Sequence, residues 1–279
     1  MSDAVPMREL EFDQWVADLP HDFAGDLVMS HVLAVLSSVF PDGEDYFVRS
    51  VRAGAPAVTD PGLAADVEGF VGQESMHGRE HRVLNERLAE LGYPTRAIGR
   101  YVRGLTRVRE KVQGRRGNLG FTAALEHYTA TLAELLLGDP EARAVIGHPG
   151  VRDLLVWHAL EEAEHKAVAF DVFRANGGSE WLRMLTMVIT HLTFVLETGT
   201  WTLVSLARDP EARAHPGEVA RGLWRLRRSP FTSGRALRML AQYTTPGFHP
   251  DHRDTTALVA EWRERLFGDR GALVEALAS

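Results

Sequence analysis

Apolar residues recur at three- and four-residue intervals along nearly the whole chain, which is the period of an amphipathic helix. No segment shows the alternation and β-branched enrichment of a strand. The punctuation agrees with a helical chain. Asp60-Pro61 supplies an N-cap and a first-turn proline, and Gly92 with Pro94 closes that segment. His148-Pro149-Gly150 opens another that runs to Gly177-Gly178, and Ser179 caps a third, ended by Asp209-Pro210. The spacing predicts helices over residues 25–40, broken at Pro41 and resuming over 42–53, then 61–91, 95–112, 118–137, 140–146, 150–175 and 180–207. Shorter helices are expected over 218–226, 231–242 and 255–267. The best-defined ones precede residue 176, so the expected fold is all-α: a helical bundle over 1–178 and a helical extension over 179–279 packed on it.

Two of these helices break the apolar rule in the same way. A 4,3 spacing through the segment from Pro61 selects Leu63, Val67, Phe70, Glu74, His77, His81, Leu84, Leu88 and Leu91. The polar members sit together in the middle of an otherwise apolar seam, within ~60° of arc at 100° per residue. The segment from Gly150 repeats this with Val151, Leu155, His158, Glu162, His165, Ala169 and Val172. A seam through Leu154, Glu161 and Val168 fits equally well, so seam spacing does not choose between Glu161 and Glu162. Burying carboxylates and imidazoles without partners costs several kcal/mol, so something must compensate. Carboxylate and neutral imidazole together are a ligand set for iron, manganese or zinc.

Two further helices each offer one acidic residue on an apolar face. Glu44 shares its face with Phe47, Val48 and Val51, while Asp45, Arg49 and Arg52 mark the wet side. Glu126 shares a stripe with Leu119, Ala123, Ala130, Ala133 and Leu137, whose small side chains leave room for an ion. The order is then Glu44, Glu74-x-x-His77, Glu126 and Glu162-x-x-His165. This one-Glu, Glu-x-x-His duplication resembles the ligand pattern of ferritin-like dinuclear carboxylate proteins. The three-residue spacing, which puts a carboxylate and an imidazole one turn apart, favours Glu162 over Glu161.

Composition narrows the chemistry. The 279 residues include no Cys, which removes thiolate metal sites, disulfides and thiol nucleophiles. With 31 Lys+Arg against 38 Asp+Glu the net charge is −7, so no nucleic-acid partner is expected. Lys111 and Lys166 are the only lysines. The amino-terminal stretch is acidic without an apolar core, so no signal peptide and a cytoplasmic location are expected. From Met184 to Leu196 no residue carries a formal charge, but Glu197 interrupts the run, which points to a buried helix lining a substrate channel or a homodimer interface rather than a membrane span. The following 208–240 stretch holds eight Arg against three acidic residues and leaves peripheral contact with anionic lipid open beside an ordinary solvated surface.

The stretches Pro41-Asp42-Gly43-Glu44, Gln73-Glu74-Ser75-Met76-His77-Gly78-Arg79-Glu80-His81 and His158-Ala159-Leu160-Glu161-Glu162-Ala163-Glu164-His165-Lys166 resemble the predicted metal-dependent hydrolases, over most of residues 20–240. The arrangement His158-x-x-x-Glu162-x-x-His165 is also similar to di-iron N-oxygenases acting on aryl amines, which add a third His to the carboxylate set; His158 matches it. The expected metal ligands are Glu44, Glu74, His77, His81, Glu126, His158, Glu162 and His165, with His81 either a ligand or an outer donor. The leading expectation is a dinuclear iron enzyme that activates O2, takes electrons from a donor and oxidises a small apolar or aromatic substrate. Manganese or a mixed manganese–iron pair would fill the same ligands. The alternative is a two-metal hydrolase, with zinc as its metal and a metal-activated water as its nucleophile, or a non-catalytic metal-binding protein.

Overall fold

The computed structural model describes residues 4–277; the first three residues of the acidic amino-terminal stretch and the last two of the extension lie outside them. The chain is all-α, and among the described residues the β-type pairing is confined to an isolated bridge between Leu10 and Leu277. The helices are α1 (Leu27–Gly54), α2 (Pro61–Glu90), α3 (Thr95–Gly138), α4 (Pro140–Ala144), α5 (Pro149–His165), α6 (Val168–Ala175), α7 (Glu180–Arg208), α8 (Pro210–Ala214), α9 (Pro216–Leu226), α10 (Gly234–Gln242) and α11 (Thr256–Phe267). Asp26, Asp60, Ser179, Asp209 and Ser233 each cap a helix by accepting a backbone N–H bond. Helices α1, α2, α3 and the α5–α6 pair pack on one another around a shared interior. On its outside, α7 rests on α1 and α3, α9 on α1, α10 on α3 and α11 on α5.

Two boundaries differ from the expected ones, each where a contact with a distant segment intervenes. Pro41 does not break α1. A proline removes the N–H that would bond the carbonyl four residues earlier, and here that carbonyl, on Ser37, accepts from the Asn85 side chain at 2.9 Å instead. The two segments expected over 95–112 and 118–137 run on in α3 but meet at a kink between them, at Gly114, whose non-helical φ of 64° and ψ of 175° need a residue without a Cβ. Conversely, the helix expected over 150–175 divides after His165, where the Lys166 ammonium turns outward to the carbonyl of Arg253 and the Thr255 hydroxyl.

Two apolar clusters bracket the polar middle of the seams. One gathers Leu10 and Phe12 of the amino-terminal arm, Leu84 and Leu88 of α2, Leu154 and Trp157 of α5, and Trp262 and Leu266 of α11. The other holds Phe47, Phe70, Leu119, Phe170 and Phe173. Each such side chain contributes about 1.5–3 kcal/mol on burial, and between them they hold the intervening polar layer in register. Helix α7 is less buried than expected. Trp181, Val188, Leu192, Leu196 and Leu203 are at least half exposed, and its covered face carries Thr186, Met187, Thr190 and Thr202. By length and composition it is the one helix among the described residues apolar enough to cross a membrane.

Candidate metal centre

The acidic and imidazole residues selected by the seams converge. Glu44, Glu74, His77, Glu126, His158, Glu162 and His165 are all buried, none more than 4% exposed. Ligand-capable atoms of Glu44, His77 and His158 lie within 4.8 Å of one another, and so do those of Glu74, Glu162 and His165. The two groups interleave: His77 Nδ1 is 3.5 Å from Glu74 Oε1 and 3.9 Å from Glu162 Oε1. Glu126 Oε2 joins the second group, 3.4 Å from His165 Nε2.

Three imidazoles share one arrangement. His165 Nδ1 meets Gln73 Oε1 at 2.7 Å, and the Gln73 amide is oriented by donating to the Pro6 carbonyl and to Glu164. Its other nitrogen, Nε2, has no hydrogen-bond partner and faces Glu74 at 3.2 Å. His77 Nε2 donates to Glu161 at 3.1 Å, leaving Nδ1 without a partner and directed at the interior carboxylates. His158 Nδ1 meets His81 Nε2 at 2.8 Å, and its Nε2 faces Glu162 Oε1 at 2.9 Å and Glu44 Oε1 at 3.7 Å. Each ring is thus held from outside by one nitrogen and turns the other inward, as metal-binding histidines do. Both oxygens of Glu44, Glu74 and Glu126, and Oε2 of Glu162, also lack partners. Buried polar atoms are normally bonded, so this concentration of unpartnered donors and acceptors fits a pair of cations.

The proton affinities show the same pull. Burial drives Glu44 well above the ordinary carboxylate range, with Glu74 adding to it, and burial with Glu162 and Glu74 does so for Glu126. Burial opposes protonation of His77, but Glu161 and Glu74 outweigh it and raise the ring to about 10. Burial likewise opposes His165, yet Glu126, Glu162 and Glu74 lift it well above its usual value. Glu162 goes the other way: burial would raise it, while His158 and His165 hold it well below.

His81 and Glu161 stand one layer out. His81 Nδ1 is bonded to Ser37 Oγ at 2.9 Å and its Nε2 to His158, so neither nitrogen is open, and it belongs to neither group. Glu161 is occupied by Arg8 at 2.8 Å and by His77. Gln73, Ser37, Asn85 and Arg8 complete this outer layer and were not selected from the sequence. Gln73 had a signal in its place beside Glu74, whereas Arg8 is 153 residues from Glu161 and had none. Phe40 packs on the rings of His81 and His158, Phe70 on His165 and Trp157 on His77.

The chain belongs to the family of predicted metal-dependent hydrolases, whose model matches residues 6–254. No curated protein and no solved structure matches it. The family match corrects the expectation of an O2-activating di-iron oxidoreductase: the family spanning nearly the whole chain is described as hydrolytic, which favours the alternative. The ambiguity is chemical. Carboxylates and imidazoles at this spacing serve redox and Lewis-acid metals alike, so a ligand pattern cannot separate the two chemistries.

Proposed function

We propose that the chain is a hydrolase whose interior holds two divalent cations, one among Glu44, His77 and His158 and the other among Glu74, Glu126, Glu162 and His165. The observation that carries this reading is the shared posture of the three imidazoles, each with one nitrogen secured outside and the other unpartnered or facing only carboxylates. Zinc is the natural candidate, since it accepts this ligand set and has no redox role to play. When bound, such cations lower the pKa of water towards neutrality and polarise the group under attack. The protein's own part is positional. Gln73, Glu161 and His81 hold the rings by hydrogen bonds, while Phe40, Phe70 and Trp157 pack against them. His158 and Glu162 are the two members of the set that also line a large cavity, so a substrate meets the centre there.

The test is turnover by metal-depleted protein reloaded with zinc or manganese and offered p-nitrophenyl esters, anilides and phosphates. Hydrolysis of one class is expected, abolished by chelation, restored by metal and lost in Glu162→Gln. A protein that takes up both cations and cleaves none of these classes contradicts the reading.

A further inference from the structure

The cavity that reaches His158 and Glu162 has a volume of about 580 Å³, within the ~300–1,000 Å³ of small-molecule sites. Its walls come from α1, α3, α5, α7 and the α9–α10 region. On α7 the lining residues His191, Phe194, Val195, Thr198, Thr202 and Leu203 follow a helical stripe, so the cavity runs along roughly 18 Å of that helix at 1.5 Å per residue. On α1 it extends from Met29 to Phe40, again several turns. It is long and almost wholly apolar. No Arg or Lys lines it, and the titratable side chains in its wall are His158 and Glu162 at the metal layer, with His191 and Tyr128, which are hydrogen-bonded to each other. At the open side Val195, Leu203, Leu223 and Leu237 are between 38% and 59% exposed, forming an apolar rim.

Such a wall discriminates among the bonds a two-metal centre could cleave. An anionic phosphate ester with a charged body would be desolvated against aliphatic side chains without a cationic partner, which is costly. A neutral molecule with a long hydrocarbon part loses little and gains the apolar contact. Resting on the hydrolase reading above, we infer that the substrate is a lipophilic carboxylic ester or amide, its hydrocarbon chain lying along α7 and its acyl carbon presented to the layer of His158 and Glu162. In the reaction water adds its oxygen to the acyl carbon, the acyl C–O or C–N bond breaks, and the protons of the water are shared between the released carboxylate and the alcohol or amine.

Gly199 gives a means of testing the cavity without touching the centre. It lies on the lining stripe of α7, and a Cβ there would meet nothing within 4 Å. Gly199→Trp is chosen to narrow the cavity at that stripe, with the fold checked by unchanged far-ultraviolet circular dichroism. Two readouts are used on the full-length, metal-loaded protein. The first is fluorescence of a neutral probe, the dansyl amide of dodecylamine, which is expected to bind and to bind at least tenfold more weakly to Gly199→Trp. The second is KM for p-nitrophenyl acetate against the octanoate. Each buried methylene is worth up to about fourfold, so KM should fall at least tenfold along that pair and the gain should vanish in Gly199→Trp. Ester cleavage with no chain-length preference and no probe binding overturns the inference while leaving the hydrolase reading intact. Probe binding that Gly199→Trp weakens, in a protein that cleaves no ester or amide, upholds the cavity's ligand class and instead removes the hydrolase reading.

Discussion

His158 Nδ1 lies 2.8 Å from His81 Nε2, and the direction of that hydrogen bond can be deduced from the chain behind it. The Asn85 amide donates to the Ser37 carbonyl, which turns Asn85 Oδ1 toward the Ser37 hydroxyl at 2.8 Å. Ser37 gives its proton to that oxygen and so accepts from His81 Nδ1–H, leaving His81 Nε2 as an acceptor for His158 Nδ1–H. His158 Nε2 must then carry a lone pair, aimed at Glu162. A cation between them would remove the repulsion.

The consequence concerns metal affinity. Outer partners of metal-binding histidines are typically worth 10–100-fold in affinity. His81→Ala is expected to weaken metal binding at the His158 group by that factor in competition with a chromogenic chelator. His81→Gln, which can still accept through its amide oxygen, should recover part of the loss. Equal affinity in all three proteins would show that His81 does not set the tautomer of His158.

Arg8 holds Glu161 and Glu164, each at 2.8 Å, and Arg263 also reaches Glu164. Removing one partner of a buried ion pair costs about 3–5 kcal/mol because a charge is left unpaired. Arg8→Met should lower unfolding free energy by an amount in that range, read from urea denaturation. Combining it with Glu161→Gln should restore part of the stability, since the stranded charge is then absent. A double variant that loses the sum of the two single effects would refute the coupling.

Crowding of carboxylates makes a prediction of opposite sign for protein with and without metal. Glu126 is buried beside His165, with Glu162 and Glu74 raising its proton affinity, and has neither oxygen bonded. Glu126→Gln relieves repulsion among the buried acids and should raise the stability of the metal-free protein by about 1–4 kcal/mol, the scale seen when buried charges are replaced. The same change should reduce the stabilisation produced by added metal. Thermal melts with and without zinc measure both, and a variant less stable in each condition would contradict the account.

Far from the metal layer, Asp209 Oδ2 lies 3.0 Å from both His31 Nε2 and His21 Nε2. Burial holds the His31 ring below its ordinary 6.5, against the pull of Asp209. Burial would raise Asp209, but His21 and His31 keep it below its usual 3.8. The unfolded chain therefore takes up a proton on His31 as pH drops below 6.5 while the folded chain does not, so stability falls with acid from that point, by up to about 1.4 kcal/mol per pH unit for one proton. The share of Asp209 is lost only below pH 3.8. Urea midpoints between pH 7 and 5 should fall less steeply in His31→Gln than in the parent protein.

Helical periodicity carried far in this chain because the amphipathic seams of α2 and α5 are long and their polar exceptions are few. Glu44 was legible as an acid on an apolar face, and the three-residue spacing pointed to Glu162, the residue the fold turns inward, over Glu161, which it gives to Arg8. What spacing could not show was anything set by side-chain hydrogen bonds between distant segments. The continuity of α1 through Pro41 depends on Asn85, 44 positions away from it. The outer position of His81 depends on Ser37, and the exposure of the apolar side of α7 depends on which of its faces meets α3. These are tertiary choices between locally equivalent alternatives.

The buried acids and imidazoles are expected to hold paired cations. Calorimetric titration of metal-depleted protein with zinc, with the bound metal counted by elemental analysis, tests it most directly. The account predicts two equivalents per chain, falling to one or none in the double variant Glu74→Gln/Glu162→Gln, with a large rise in melting temperature on binding. A protein that takes up no zinc, manganese or iron and melts at the same temperature with and without them would contradict it.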